Sequence, residues 1–221
     1  MSSRLEKTKH SSSFYLPDGN LHILVGEVYY RVHRYFFIRE SVLFRTRLEQ
    51  ASKNKQEDGK TEGTSIILSE FTTPEKFDHF LWVFYNSTYD LEAPREHWED
   101  ILELADKWSF AVIKSLAIRK LEAILDIPVI DRIVLYRQHN VPASSLNPYY
   151  ARLCARDIIL SKQESTQLGL DLAIQIFQAR ERLRSRKHNG KGGGGGGGPK
   201  SPLPDDATQE RVMEVIAEMF L

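Results

Sequence analysis

Cys154 is the chain's one cysteine and so its one candidate thiol nucleophile. A reactive thiolate needs a base or a positive helix end beside it. Leu153-Cys154-Ala155 lies on a helical pattern that offers neither, and the expectation is a small buried side chain. The histidines, His10, His22, His33, His79, His97, His139 and His188, show no His-x-x-x-His spacing, and no Cys-x-x-Cys pair exists to preorganise a metal. Gly59-Lys60-Thr61 imitates the end of a phosphate-binding loop, but the glycine required upstream is Asn54, and no strand leads into it. The acidic row Glu96, Glu99, Asp100 and Glu103 reads as the wet side of an amphipathic helix, because acid–base catalysis needs a carboxylate in a desolvated setting. Neither an enzyme, nor a cofactor, nor a small-molecule substrate is expected.

A basic cluster, Arg180, Arg182, Arg184, Arg186, Lys187 and Lys191, stands ahead of a glycine run. Its simpler reading is a solvated terminal turn. The alternative is a nuclear, transcription-associated regulator that touches nucleic acid through residues 180–191. Bulk charge gives that alternative no support: 30 Lys plus Arg balance 30 Asp plus Glu over 221 residues.

Apolar residues make up 41% and aromatics 10%, enough for a packed domain and too much for a disordered chain. No apolar stretch approaches the roughly 20 residues of a membrane span. With no apolar leader and no possible internal disulfide, the expected compartment is reducing, cytoplasm and/or nucleus.

The elements that must position these residues follow from pattern. Residues 1–13 are Ser- and Lys-rich and are expected to form a disordered tail, with the fold starting near Phe14. After Pro17-Asp18-Gly19-Asn20, the runs Leu21–Val25 and Val28–His33 predict strands of a hairpin turning at Gly26-Glu27. A helix through Tyr35–Ile38 comes next, then one capped by Ser41 and carrying Val42, Phe44 and Leu48. Residues 51–64 are polar and aperiodic, a flexible loop by this reading. Ser65–Leu68 predicts a short strand, and Thr73-Pro74 caps a helix presenting Phe77, Phe80, Leu81 and Phe84.

Trp98, Ile101, Leu102, Ala105, Trp108 and Val112 carry the clearest three-four spacing. Helices follow through Leu116, Leu121 and Leu125, and through Ile130, Ile133 and Val134; Asn147-Pro148 signals a further start. Ser161 and Glu164 have the spacing of a capping box, Gly169 ends that helix, and a longer one carries Ile176, Phe177, Arg180 and Leu183. Residues 189–204 read as a Gly/Pro-rich linker, and 205–221 as an amphipathic helix with Val212, Val215, Ile216 and Met219 on one face. That face either closes a groove on its own domain or waits for a partner.

Val32-His33-Arg34, followed by Phe37-Ile38, Ser41 and Phe44, resembles the BTB/POZ signature, with Leu21–Gly26 similar to its first strand. Phe77, Phe84-Tyr85 and Leu102–Trp108 resemble its later helices. The likeness covers residues 14–126 and implies an α+β fold: a BTB/POZ-like helical cluster with a short β-sheet, followed by an all-helical extension over 127–188. Tyr149–Cys154 and Leu168-Gly169 resemble the extension of BTB proteins abundant in basidiomycete fungi. The resemblance implies a non-enzymatic protein–protein interaction module, an adaptor or scaffold that self-associates as a homodimer or recruits a cullin-type ubiquitin-ligase scaffold.

Two family positions depart from that pattern. The acidic member of the family's charged dimer pocket is here Asn20, facing the basic Arg34. A buried guanidinium needs another acid, for which Asp18 is the candidate. The cullin-binding apolar-x-Glu position is the polar Ser52-Lys53-Asn54. His33, Ser41, Phe44, Trp98 and Trp108 are expected to be structural. Asn20, Arg34, Val212, Val215, Ile216 and Met219 are the candidates for contact with protein partners.

Overall fold

The computed structural model describes residues 8–54, 58–88, 90–185, 203 and 208–220. Residues 1–7, most of the glycine-rich stretch, and Arg186, Lys187 and Lys191 lie outside them. The chain divides into two compact units, Met1–Leu125 and Asp126–Leu221.

The first unit opens on a four-stranded sheet of order β1-β3-β2-β4, built from β1 (Lys9–Tyr15), β2 (Leu21–Val25), β3 (Val28–Val32) and β4 (Ile66–Ile67). The hairpin β2–β3 is antiparallel, in register from Leu21↔Val32 to Val25↔Val28, and Gly26 turns it at φ +57°, a conformation that favours glycine. β1 runs parallel to β3, and β4 parallel to β2.

The ordered chain therefore starts before Phe14, and the expected disordered tail is corrected from Lys9 onward. The ordering combines main-chain bonds with ring contacts, Phe14 lying 5.8 Å from Tyr85. Lys9 N donates to Glu27 O at 2.9 Å, Leu16 N donates to Arg31 O at 2.8 Å, and His10 stacks on Tyr15 with ring centroids 3.9 Å apart. Glu62 takes hydrogen bonds from Tyr15 Oη and from His10, which pushes the Tyr15 hydroxyl up and holds the Glu62 carboxyl down.

Within 51–64, the described residues 51–54 and 58–64 are more structured than their composition suggests. Helix α2 (Val42–Lys53) takes up their start and a 3-10 turn, Glu62–Thr64, their end. Between them Gly59 is buried at φ +71°, accepting from His22 N at 2.7 Å and donating to Thr64 O at 2.6 Å. A Cβ there would lie 2.6 Å from Leu21 Cδ1, so glycine is required by both conformation and space.

The helices of this unit are α1 (Arg34–Glu40), α2, α3 (Pro74–Tyr85), α4 (Arg95–Lys107) and α5 (Ala111–Ala123); α3 meets the sheet through Phe77, edge-on to Tyr30 of β3 at 4.8 Å, and packs on α4, which packs on α5. Thr73 accepts from Lys76 N and Pro74 opens the first turn of α3, as its sequence predicts. The core is an aromatic cluster. Trp108 receives Phe44, Phe77 and Phe80 edge-on at 5.9, 5.8 and 5.6 Å, and Phe110 lies 4.9 Å from Phe80 and 5.8 Å from Phe37.

Two residues leave the pattern that placed them inside. Val112 does not extend the buried face of α4 and is 65% exposed. The helix stops in a Schellman motif: Ser109 takes φ +58°, Ser109 N donates to Asp106 O, and Phe110 N donates to Ala105 O at 2.8 Å, so Phe110 enters the core instead. Leu125 lies past the end of α5 and is 93% exposed.

The second unit is all helical: α6 (Val129–Gln138), α7 (Ala143–Ala155), α8 (Lys162–Leu168), α9 (Leu170–Arg184) and α10 (Gln209–Phe220). Asn140, at φ +48°, ends α6 in a second Schellman motif with Val141 N on Tyr136 O. The Asn147-Pro148 cap signal is overridden. α7 starts after Pro142, and Pro148 sits inside the helix without an N–H to donate. The Ser161–Glu164 capping box is present in both directions, and Arg156 makes two 2.7 Å bonds to Glu164, which hold that carboxyl at about 2.

Arg180 and Arg184, read from sequence as part of a solvated turn, are each only 5% exposed. Arg180 donates to the carbonyls of Leu153, Cys154, Arg156 and Asp157. Arg184 donates to those of Cys154 and Arg156. Two guanidinium groups thus satisfy the orphan carbonyls at the end of α7 and meet the negative end of its dipole. Replacing Arg180 by Leu strands these acceptors, and urea unfolding should show a loss of about 3 kcal/mol or more. Arg182→Ala, which breaks only the exposed pair with Glu218, should cost about 0.5 kcal/mol or less.

Candidate functional site

The junction from β3 into α1 is built by side chains that arrive from elsewhere in the chain. His33 N donates to Tyr85 Oη at 2.9 Å, and its Nδ1 lies 3.1 Å from the same oxygen. Its Nε2 stands 3.1 Å from Asp18 Oδ2, and this bond holds the Asp18 carboxyl below the usual carboxylate range. His33 offers no side-chain cap to α1; Asn20 does so instead, its Oδ1 accepting from Arg34 N at 2.8 Å.

Asp18 is therefore engaged with His33 and not with Arg34. The half-buried Arg34 guanidinium donates through Nη2 to Asp58 O at 3.0 Å, while the Asp58 carboxylate accepts from Arg47 Nε at 2.8 Å. The acceptor for Arg34 is thus a main-chain carbonyl from the segment that composition assigned to a loop, and sequence spacing gave no sign of it. Asn20 itself is exposed.

Ser41 ties this junction to the core. It is fully buried; its Oγ accepts from Phe44 N at 3.0 Å and donates to Trp108 O at 2.6 Å, and its backbone bridges Phe110. Phe44, Trp98 and Trp108 are all buried.

Several apolar side chains near this buried tie are exposed. Val42 and Leu43 open α2 immediately after Ser41, and Val112 stands two residues beyond its bridge partner Phe110; all three are exposed. Tyr35, also exposed, carries the Arg39 guanidinium 4.9 Å above its ring. Ser52, Lys53 and Asn54 are polar and exposed at the end of α2.

The other candidate residues are used internally. Cys154 is fully buried, and burial pushes its thiol up to about 12. Among the described residues, no group of three or more His, Cys, Asp or Glu is placed to hold a metal. None of the helices described is long and apolar enough to cross a membrane. Of the basic cluster, Arg180 and Arg184 are buried, which removes two of the cations the nucleic-acid alternative relied on, and Arg182 is in an exposed pair with Glu218. Val212, Val215 and Ile216 are buried and Met219 half-buried where α10 packs on α7 and α9, so this face is not presented to a partner.

The acidic row of α4 is not simply solvated. Asp100 and Glu103 hold Lys76 of α3, with Asp100 Oδ1 at 3.2 Å, and Asp100 Oδ2 lies 2.9 Å from His79 Nδ1. His79 in turn stacks on His97 with ring centroids 3.6 Å apart. The partners on α3 are more than twenty positions away, so no local pattern reveals them.

Desolvation, with the adjacent His79 adding to it, lowers the pKa of His97. Asp100, Glu96 and Glu75 oppose the shift. The folded state therefore binds the proton less readily than the unfolded one. Stability should be intact above about pH 6.5 and decline as pH falls through the lowered value. Urea unfolding between pH 7.5 and 5 should show this decline, and His97→Gln should flatten it.

The first unit is thus a small sheet with helices around an aromatic core, and it exposes Tyr35, Val42, Leu43 and Val112. In the comparison with known families, the model for the BTB/POZ domain matches residues 19–125, and these residues form a BTB/POZ domain, a protein–protein interaction module. No curated protein matches the chain.

Proposed function

We propose that this protein is a non-enzymatic adaptor of the reducing cytoplasm or nucleus, of the kind abundant in basidiomycete fungi, and that it self-associates through the α1–α2 face of its BTB/POZ domain. The observation that carries the reading is the exposed set Tyr35, Val42, Leu43 and Val112 around the buried Ser41. Large apolar and aromatic side chains beside an arginine are the composition of an interface core. The family supports it too, since BTB domains mediate protein partnering and homodimerisation.

The Arg34 guanidinium donates to the Asp58 backbone carbonyl, which gives one N–H a partner but no counter-charge, so the contact is placed on the exposed apolar set and leaves Arg34 at its edge, in water. The cullin-scaffold role gains no such support, because the polar Ser52–Asn54 stretch lacks an apolar anchor.

Size-exclusion chromatography with light scattering should find a dimer at tens of micromolar. The double variant Val42→Asp, Leu43→Asp places charges in the contact and should weaken it about 100-fold or more, leaving a folded monomer. A wild-type monomer at every concentration, or a dimer indifferent to the double variant, would refute the assignment.

A further inference from the structure

We propose that the trough between α7 and α9 is a receptor for an amphipathic helix, occupied in cis by α10 and open to a partner helix of the same apolar spacing that displaces it. The reading is independent of BTB self-association, which concerns the other unit.

Two observations carry it. The first is the template in place. α10 packs on α7 and α9 through Val212, Val215 and Ile216, and Phe220 stacks on Tyr150 of α7 with centroids 4.4 Å apart. Counted from Val212, the contacts fall at intervals of three, four, seven and eight residues, one face of a helix. The trough thus selects a spacing, and Arg182 at its rim, bonded to Glu218, adds a preference for an acid six residues after the first anchor.

The second observation is how differently α9 and α10 are held. α9 is locked to the end of α7 by Arg180 and Arg184, whose guanidinium groups fill buried carbonyls. Polar ties of α10 include two at the rim, the Arg182–Glu218 pair, more than half exposed on both sides, and Arg211 Nη2 on Ser185 O at 3.3 Å. Contacts without direction are reproduced by any helix of like spacing, whereas buried guanidinium–carbonyl bonds are not. Lifting α10 leaves the α7–α9 lock intact and uncovers Tyr150. A helix of twelve residues is marginal alone and gains order from the trough. Being tethered, α10 competes as an intramolecular ligand, so a partner must outbind it.

The test uses the full chain and a fluorescently labelled peptide of residues 208–221, read by anisotropy. The peptide should bind weakly to wild type, where α10 competes. It should bind at least about tenfold more tightly to a chain carrying Ile216→Asp, whose own helix is disabled but whose trough is unaltered. A peptide carrying the same change should not bind either chain. Equal affinity for both chains, or no binding to the variant while its circular dichroism remains native, would overturn the proposal.

Should Ile216→Asp compromise folding, charge exchange at the rim provides the check. A chain with Arg182→Glu should prefer a peptide with Glu218→Arg over the wild-type peptide, and indifference would count as failure. A wild-type dimer abolished by Ile216→Asp but not by Val42→Asp, Leu43→Asp would assign the trough to α10 of a second copy and overturn displacement by a partner.

Discussion

The first unit turns on one buried hydroxyl. Ser41 Oγ accepts from Phe44 N and donates to Trp108 O while its backbone N–H donates to Phe37 O, so a single residue ends α1, starts α2 and binds both to the α4–α5 connection. The geometry is exacting because both partners are backbone groups in a dry aromatic cluster, where an unpaired donor or acceptor costs about 1–3 kcal/mol. With that tie made, Phe44 and Trp108 meet edge to face, and Val42, Leu43 and Val112 have no interior left to enter. The outward apolar face follows from the packing of the inside.

The second unit uses the same logic with charge. The end of α7 leaves carbonyls that nothing in its own sequence satisfies, and Arg180 and Arg184 reach them from α9. Burying two guanidinium groups is costly unless every donor finds an acceptor. Desolvation and their mutual repulsion lower the Arg180 pKa, though its hydrogen bonds keep the group in place. The result is a rigid helical frame in which α10 is the element held chiefly by apolar contact. In both units a few long-range polar ties fix the frame, Ser41 in one and the Arg180–Arg184 pair in the other.

Much of this was legible in local pattern. Ser41, Thr73-Pro74 and the Ser161–Glu164 box were readable because capping depends on residues three apart, and the β2–β3 hairpin because alternation and a glycine turn coincide. The apolar faces of α3, α4 and α10 were readable for the same reason. What misled were segments ordered by the main chain, whose side chains carry no signature of it: β1 on the edge of β3, and Gly59 bridging His22 and Thr64. Val112 was misplaced because a three-four spacing continues through a helix end that only the left-handed Ser109 reveals.

Sequence alone determined the class of the fold, the caps, the periodic faces and the lack of a spaced catalytic or metal motif, all set by interactions within a few positions along the chain. Tertiary structure decided which charges are spent and which surfaces remain. Asp18 goes to His33, Asp58 to Arg47, Asp100 to His79 and Lys76, and the basic cluster loses Arg180 and Arg184 to the interior. These pairings join residues tens of positions apart. Their energy depends on burial and distance, which exist only once the helices have packed.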